Sequence, residues 1–430
     1  MKRISLNFRH LRAFRETAEL GSVKAAAENI FLTQSAVTQA IARLEVHLGM
    51  PLFLRRHNGM FLTDAGDLFL VRVTRALNYL KQGVREALRN GERIEPQSRA
   101  KTAADEQLSH VQVRTLLALQ QSTSYSTAAR HLGVSQPAVY RAAGDLEDLL
   151  NLKLFEKTSI GIALTKAALR LTRLAQLALH ELDLAQYELS ELNGSDTTKI
   201  TVGSMPLART YILPAAVNRL GQLKPDTRIE IVEGPYDDQL QRLLRGELDL
   251  LIGALRMPLP STDIEQETLF LTPLSVVGRA HHPLTQIAKP SLAELGRYGW
   301  VVPRQGTPAR ARFDQLIAAH QPSVYRGLIE CSSQVVIRQL LLASDRLTFI
   351  SRHQIEQEEE LGLMTVIDFD LANTDRPIGI TTRKDWHPTT TQNLFLAIVR
   401  NLSKALTLAA PTASPDGALQ TQKSPHEAGS

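Results

Sequence analysis

Along the first part of the chain apolar residues recur every three to four positions, the spacing of one helix face, and further on short apolar runs alternate with helical stretches. Leu11, Phe14 and Ala18 mark a first helix. A second starts at Ser22, an N-cap type of residue after Gly21, and runs through Val23 to Glu28, where small alanines let a neighbour approach closely. After a break at Phe31-Leu32-Thr33 a third helix begins at about Gln34. Its stripe Val37, Ile41, Leu44 and Leu48 faces inward, which turns Gln34, Ser35, Thr38, Gln39 and Arg43 outward. Leu52 to Thr63 reads as a short two-stranded hairpin with Asn58-Gly59 at its tip, and Leu68 to Leu88 as a long amphipathic helix.

The same pattern then repeats. Residues 6–80 and 108–182 match at a constant offset of 102, and from Ser22 to Ala65 sixteen of forty-four positions are identical. Gln34 to Glu45 answers Gln136 to Glu147, Leu52-Phe53 answers Leu154-Phe155, and Leu62-Thr63 answers Leu164-Thr165. In the second copy Ser135-Gln136-Pro137 is a good helix start and Gly133 suits a tight turn before it. Leu169 to Leu192 predicts another long amphipathic helix. The polar stretch 90–105 between the copies, broken by Gly91 and Pro96, reads as a flexible tether.

From residue 197 strands alternate with helices: Lys199–Ser204, Arg228–Glu233 and Leu248–Gly253 are strands, Tyr211–Gln222 and Asp237–Arg245 helices. Such succession predicts a mainly parallel sheet, with ligands beyond the carboxyl ends of its strands. A second set begins near Leu269–Val277 and continues to Val366–Phe369, and the chain returns through Pro377–Thr381 to a last helix, Thr390–Leu406. The expected organisation is a first module at 6–66, a linker helix at 67–90, a tether at 91–107, a second module at 108–168 and a linker or dimerisation helix at 169–193. A two-lobed unit follows at 197–406, with lobe I at 197–267 and 375–406 and lobe II at 268–374. The Pro-, Ala- and Ser-rich tail 407–430 reads as disordered.

Composition narrows the function. The 430 residues are 43% hydrophobic and 22% charged, ordinary for folded domains and long enough for several. Neither an apolar leader segment nor an uncharged membrane-length run is present, and the single cysteine, Cys331, excludes an internal disulfide, so a cytoplasmic location is expected, without membrane contact. Residues 1–93 hold 15 Lys and Arg against 8 Asp and Glu, whereas the rest of the chain is close to neutral. The net charge of +5 therefore sits on one module, as expected where that module meets a polyanion, although solvated surface basicity would leave the same count. No nucleophile elbow, phosphate-binding lysine loop or metal-ligand spacing occurs; His281-His282 precedes Pro283 with no carboxylate cluster, so neither an enzyme nor a cofactor is expected. Cys331, between a strand and a helix, reads as a buried inert thiol, with a redox sensor as the alternative.

Two helices joined by a short turn, the second polar near its start, can lay that second helix in the major groove, where glutamine pairs with adenine and arginine with guanine. An ordinary helical hairpin has the same outline. The hairpin bearing Arg55 and Arg56 adds a wing able to meet phosphates or the minor groove. At this point the run Gly-Ser-Val-x-x-Ala-Ala-x-x-Ile-x-x-Thr-Gln-Ser-Ala-Val-Thr from Gly21 to Thr38, with Arg43-Leu44-Glu45, Leu48-Gly49, Pro51-Leu52-Phe53, Arg56 and Leu62 to Gly66, resembles the winged helix-turn-helix of LysR-type transcriptional regulators. The resemblance extends over most of residues 7–406.

It implies two all-α-rich winged helix-turn-helix domains, the second a departure from the family's single copy, followed by a two-lobed α/β effector domain like that of periplasmic binding proteins. Ser22, Gln34, Ser35, Thr38, Gln39, Arg43, Arg55 and Arg56 would meet double-stranded promoter DNA, with Gln136, Tyr140 and Arg141 as a weaker second site. In copy two Arg43 is answered by Asp145, Gly49 by Asn151 and Arg56 by Thr158, so weak binding or a spacing and dimerisation role is expected. The family's linker helix pairs across a homodimer or homotetramer; packing on the chain's own domains is equally open for these two. For the effector, an acidic or hydroxylated metabolite, the resemblance implies sites at Ser204, Thr307 and Ser333. Met205, Arg209, Tyr236, Arg256, Gly306 and Ser332 are near them in the pattern. Arg209 and Arg256 either face an anionic ligand or pair with Asp237 and Asp238. Met205–Thr210, Gly234–Asp237 and Gly253–Arg256 resemble a branch that includes regulators of sugar-uptake and aromatic-catabolism genes.

Overall fold

The computed structural model describes residues 6–57, 59–95, 103–318, 327–371 and 374–409. The first module is built from α1 (Phe8–Leu20), α2 (Val23–Asn29), α3 (Gln34–Leu48), β1 (Phe53–Arg56) and β2 (Gly59–Leu62), followed by α4 (Asp64–Asn90). Side chains of Ser22, Thr33 and Thr63 each accept a backbone N–H in the first turn of the next helix, which sets where α2, α3 and α4 begin. Phe14 lies 5.4 Å from Phe53 and 5.0 Å from Phe69, ring centre to ring centre, so one aromatic cluster ties helix, wing and linker together. Glu45 Oε1 accepts from the amides of Leu52 (2.9 Å) and Phe53 (3.2 Å), which hangs the wing from α3. Gly66 is required here: a Cβ on it would sit 2.2 Å from the Leu52 carbonyl oxygen.

The second module repeats this order: α5 (Ala104–Gln107) leads into α6 (His110–Gln120), α7 (Tyr125–Leu132), α8 (Gln136–Leu150), β3 (Phe155–Thr158), β4 (Gly161–Leu164) and α9 (Lys166–Leu192). Glu147 Oε1 accepts from Leu154 N (2.7 Å) and Phe155 N (3.1 Å), the same clasp. The tether differs from the flexible segment its composition predicts. Asn151, left-handed at φ 48°, takes the place of Gly49, and its amide side chain both accepts from Glu95 N (3.0 Å) and donates to Glu95 O (2.9 Å). Lys153 N donates to Glu92 O (2.9 Å), and Arg93 bridges to Leu152, so residues 92–95 are seated on the second module as a strand edge would be. Asparagine tolerates the left-handed conformation and adds the pairing that glycine cannot. The rest of the tether, 96–102, and the wing tip at Asn58 lie outside the described residues, as does 410–430 of the tail.

The two 27-residue helices α4 and α9 pack on each other, antiparallel, within one chain. Near one end Gly83 faces Leu171 and Leu174, and near the other Arg72 faces Glu181 and Glu188. Phe69, Val73, Ala76, Leu80, Val84 and Ala87 share a single apolar cluster with Leu171, Ala175, Ala178, Leu182 and Ala185. Of the two partners the apolar stripes left open, the structure shows the chain's own.

The last unit contains β5 (Lys199–Ser204), α10 (Pro206–Thr210), α11 (Ile212–Leu223), β6 (Arg228–Glu233), α12 (Tyr236–Leu244), β7 (Leu250–Ala254), β8 (Ile264–Thr272), β9 (Ser275–Arg279), α13 (Leu292–Leu295), β10 (Trp300–Val302) and α14 (Pro308–Ala318). It continues with β11 (Ile329–Glu330), α15 (Gln334–Leu342), β12 (Leu347–Ile350), α16 (Glu356–Glu360), β13 (Met364–Val366), β14 (Arg376–Arg383) and α17 (Thr390–Ala409). Two five-stranded sheets result, ordered β6-β5-β7-β14-β8 and β11-β10-β12-β9-β13. In each, three neighbouring strands are parallel and two antiparallel, so the sheets are mixed where the strand and helix alternation suggested mainly parallel ones. The lobe border also moves. β8 stays in the first sheet as far as Thr272, opposite Arg376, and the chain crosses at Pro273-Leu274, so 268–272 belong with lobe I. Among the described residues no helix is long and apolar enough to cross a membrane.

Candidate DNA-reading face and ligand cleft

Burial of Val37, Ala40, Ile41 and Leu44 fixes the roll of α3, and Gln34, Ser35, Gln39 and Arg43 are exposed on its other side with Thr38 half-buried among them. Ser22 is spent on capping α2, its hydroxyl accepting from Ala25 N at 3.3 Å. Arg55 and Arg56 are exposed on β1, the Arg56 guanidinium lying 5.3 Å above the Phe61 ring. The helix face and the wing are both held by Glu45, so polar and cationic side chains are presented on a rigid frame. In the second module Gln136, Tyr140 and Arg141 are exposed at the matching positions, with Tyr140 set edge-on against Tyr125 at 5.3 Å. Asp145 and Asp148 are exposed further along α8.

The modules also meet at their first helices. Phe8 packs edge-to-face on His110, 5.6 Å between centroids. Burial, then the charge of Arg114, lowers the His110 pKa to about 4. Because the folded value lies below the unfolded one, His110 contributes its full stability above about pH 6.5 and loses it as pH falls from there towards 4. Urea unfolding followed at pH 7 and pH 5 is expected to show a loss on the order of 1–2 kcal/mol from this residue. His110→Phe should flatten that slope; a slope unchanged by it would place the acid sensitivity elsewhere.

Between the lobes lies a cleft of about 1160 Å³. Of the residues the sequence singled out, Met205, Arg209, Tyr236, Arg256, Gly306, Thr307, Ser332 and Ser333 line it. Ser204 does not: as the last residue of β5 it is fully buried, its hydroxyl without a hydrogen-bond partner among the described residues. The Thr307 hydroxyl donates to Arg304 O (2.8 Å) and accepts from Arg310 N (3.2 Å), capping α14, whereas Ser333 opens α15 with no such side-chain bond. Arg209 pairs with Glu233 at 2.6 Å and not with Asp237 or Asp238, and Arg256 lies 4.4 Å over the Tyr236 ring.

Three arginines absent from the sequence reading also line the cleft: Arg304, Arg310 and Arg376. Arg310 is held by Asp314 (2.7 Å) and Glu330 (3.0 Å). Arg376 donates to Ser351 Oγ (2.8 Å), leaves its Nε without a partner among the described residues, and is brought by burial and then by Arg256's charge to a pKa of about 10. Its place has a topological signal. β14 runs antiparallel to β7, so the start of β14 reaches the edge where the parallel strands end. Cys331 is half-buried, with Ser333 N donating to its Sγ at 3.4 Å, a turn contact at the head of α15. His282 is fully buried and its ring nitrogen accepts from Leu284 N.

Known proteins place this architecture. The family described as bacterial regulatory helix-turn-helix protein, lysR family, matches residues 8–67 and again 110–169, and the LysR substrate binding domain matches residues 193–404. The HTH-type transcriptional regulator GalR of Pseudomonas putida is 37% identical over 380 residues, 88% of this chain and 92% of that protein. PcaQ of Agrobacterium fabrum, also an HTH-type transcriptional regulator, is 26% identical over 70% of this chain and 97% of its own length. A full-length OxyR variant from Pseudomonas aeruginosa superposes over 73% of this chain and 98% of its own at 22% identity and a TM-score of 0.50, a likeness of fold.

Proposed function

The chain belongs to the LysR family of bacterial regulatory proteins, a DNA-binding regulator with a metabolite-binding effector domain, and from that premise we propose how its residues divide the work. Gln34, Ser35, Thr38, Gln39 and Arg43 on α3 read base edges in the major groove, while Arg55 and Arg56 on the wing meet phosphates or the minor groove. The observation that carries this reading is the exposed polar face of α3 beside an exposed arginine pair, both clasped by Glu45, in the one part of the chain with excess positive charge. Ser22 positions α2 as a cap. The second module is a duplicated copy that has drifted, and its Asp145 and Asp148 weaken its hold on the phosphate backbone.

The cleft takes an anionic metabolite. Arg256, Arg304 and Arg376 offer cationic donors around it, and Ser332, Ser333 and the backbone near Gly306 offer hydrogen bonds. A carboxylated product of aromatic catabolism fits this lining better than a neutral sugar, because an uncharged ligand leaves the Arg376 and Arg256 charges facing each other uncompensated. Binding closes the lobes and shifts the arrangement of the DNA-binding modules, to which lobe I is tied by Arg72 Nη1 donating to the His387 carbonyl at 2.8 Å. Further association into a homodimer or homotetramer uses surfaces other than the occupied α4–α9 seam.

Mobility shift on the promoter regions flanking the gene, over a salt series, tests the reading. Arg55→Ala with Arg56→Ala is expected to weaken binding across all sequences and to reduce the slope of log K against log salt by about 2. An unchanged slope removes the wing from the interface.

A further inference from the structure

We infer that a single chain is a complete two-headed reader of an asymmetric DNA site, in which α8 contacts a second half-site whose base preference differs from the one α3 contacts. The inference rests on the DNA-binding reading above and adds a second DNA-binding surface to it.

The first support is the seam. α4 leaves the first module directly after its wing, α9 leaves the second in the same way, and the two helices run antiparallel along each other. The two reading heads are therefore carried towards opposite ends of the paired helices. The end of α4 confirms the direction: Gly91 abuts Leu152 of the second module. A 27-residue helix is about 40 Å long, comparable to the roughly 34 Å between successive faces of a duplex on one side. The seam is also closed chemically. Arg72 is fully buried, with Nη1 on Glu181 (2.8 Å), Nη2 and Nε on Glu188 (2.6 and 2.9 Å), and Arg75 Nε on the other oxygen of Glu181 (2.8 Å). Another copy could use these helix faces only by unpairing those charges, so the heads are yoked in cis.

The second support is the chemistry of the two faces. Both helices keep a glutamine at the first position, Gln34 and Gln136, and both clasp their wing through a glutamate, so α8 is presented as α3 is. The outward positions then diverge. Ser35 is answered by Pro137, Thr38 by Tyr140, Gln39 by Arg141 and Arg43 by Asp145, and the wing pair Arg55-Arg56 by Lys157-Thr158. Arg141 favours guanine where Gln39 favours adenine, and base contacts come from the first turns of such a helix. The acidic Asp145 and Asp148 lie on its later turns, where they weaken backbone contact without blocking Gln136, Tyr140 or Arg141. Unlike heads fixed at one spacing select unlike half-sites, whereas like heads related by a two-fold axis select a palindrome.

The test is selection of binding sites by the full chain from a duplex library randomised over several helical turns. The expected motif has two unlike halves centred about one turn apart. In the variant Gln136→Ala with Arg141→Ala, checked by circular dichroism for wild-type helix content, one half loses its base preference while the other stays sharp, and affinity for the selected site falls about tenfold. Recovery of two like half-sites in inverted repeat, or of a single half-site unaffected by that variant, overturns the two-headed reader and leaves the DNA-binding reading intact. A library that shows no enrichment at all overturns both.

Discussion

Arg72→Met is expected to lower the stability of the paired N-terminal modules by about 3–5 kcal/mol, because it leaves Glu181 and Glu188 with buried carboxylates and no guanidinium between them. Arg72 is fully buried, and the two glutamates outweigh the burial that opposes its charge, so its pKa is raised. The effect has a spatial signature. Both tryptophans, Trp300 and Trp386, lie in the effector lobes, whereas the N-terminal modules and their linkers are largely helical. In a urea titration the variant should lose helical circular dichroism ahead of the tryptophan fluorescence change, with the early transition shifted most. Replacing all three charged residues, Arg72→Met with Glu181→Leu and Glu188→Leu, should restore most of the loss, since a buried charge set exchanged for apolar groups is close to neutral. Coincident transitions in the single variant, unshifted from wild type, would falsify the assignment of the seam as a structural yoke.

Gln34→Ala with Arg43→Ala is expected to cut affinity for a selected site by about 10²- to 10³-fold, two base-reading side chains at roughly 1–3 kcal/mol each. Binding to unrelated duplex should fall far less, since Arg55 and Arg56 remain on the wing. The loss should exceed that from the matching pair Gln136→Ala with Arg141→Ala, because the second head has the weaker electrostatic hold. Equal losses would contradict that ranking, and anisotropy titrations of both variants on one fragment decide it.

Much of this was legible in the residues, for a physical reason. A frame position is repeated in both copies because its neighbour is repeated: Glu45 and Glu147 hold Leu52-Phe53 and Leu154-Phe155, and Thr63 and Thr165 start α4 and α9. Positions facing outward are free to differ, and they do, at Thr38 and Tyr140 or Arg43 and Asp145. Periodicity reports which face of a helix is buried and is silent on what buries it, so the pairing of α4 with α9 inside one chain was one of two readings. Asn151 looked like drift away from glycine until its contacts with Glu95 showed it to be a clasp. The uninterrupted apolar run Leu269–Val277 reads as one strand, while the structure splits it at Pro273 into two strands of different sheets. A strand-end hydroxyl can point to either side, and Ser204 points into the core where Arg376, from an antiparallel return, reaches the cleft.

The account turns on two DNA-reading modules yoked within one chain, and one gel tests that most directly. Gly83 faces Leu174 across the seam, with the position of a Cβ on Gly83 only 3.2 Å from the Leu174 Cβ, so Gly83→Cys with Leu174→Cys in a Cys331→Ser background places two thiols in reach of a disulfide. After oxidation the protein should run on a non-reducing denaturing gel as a single chain of 47.6 kDa with the mobility change of an internal loop. A reducible band of twice that mass as the main product would contradict it, showing that α4 pairs with α9 of another copy.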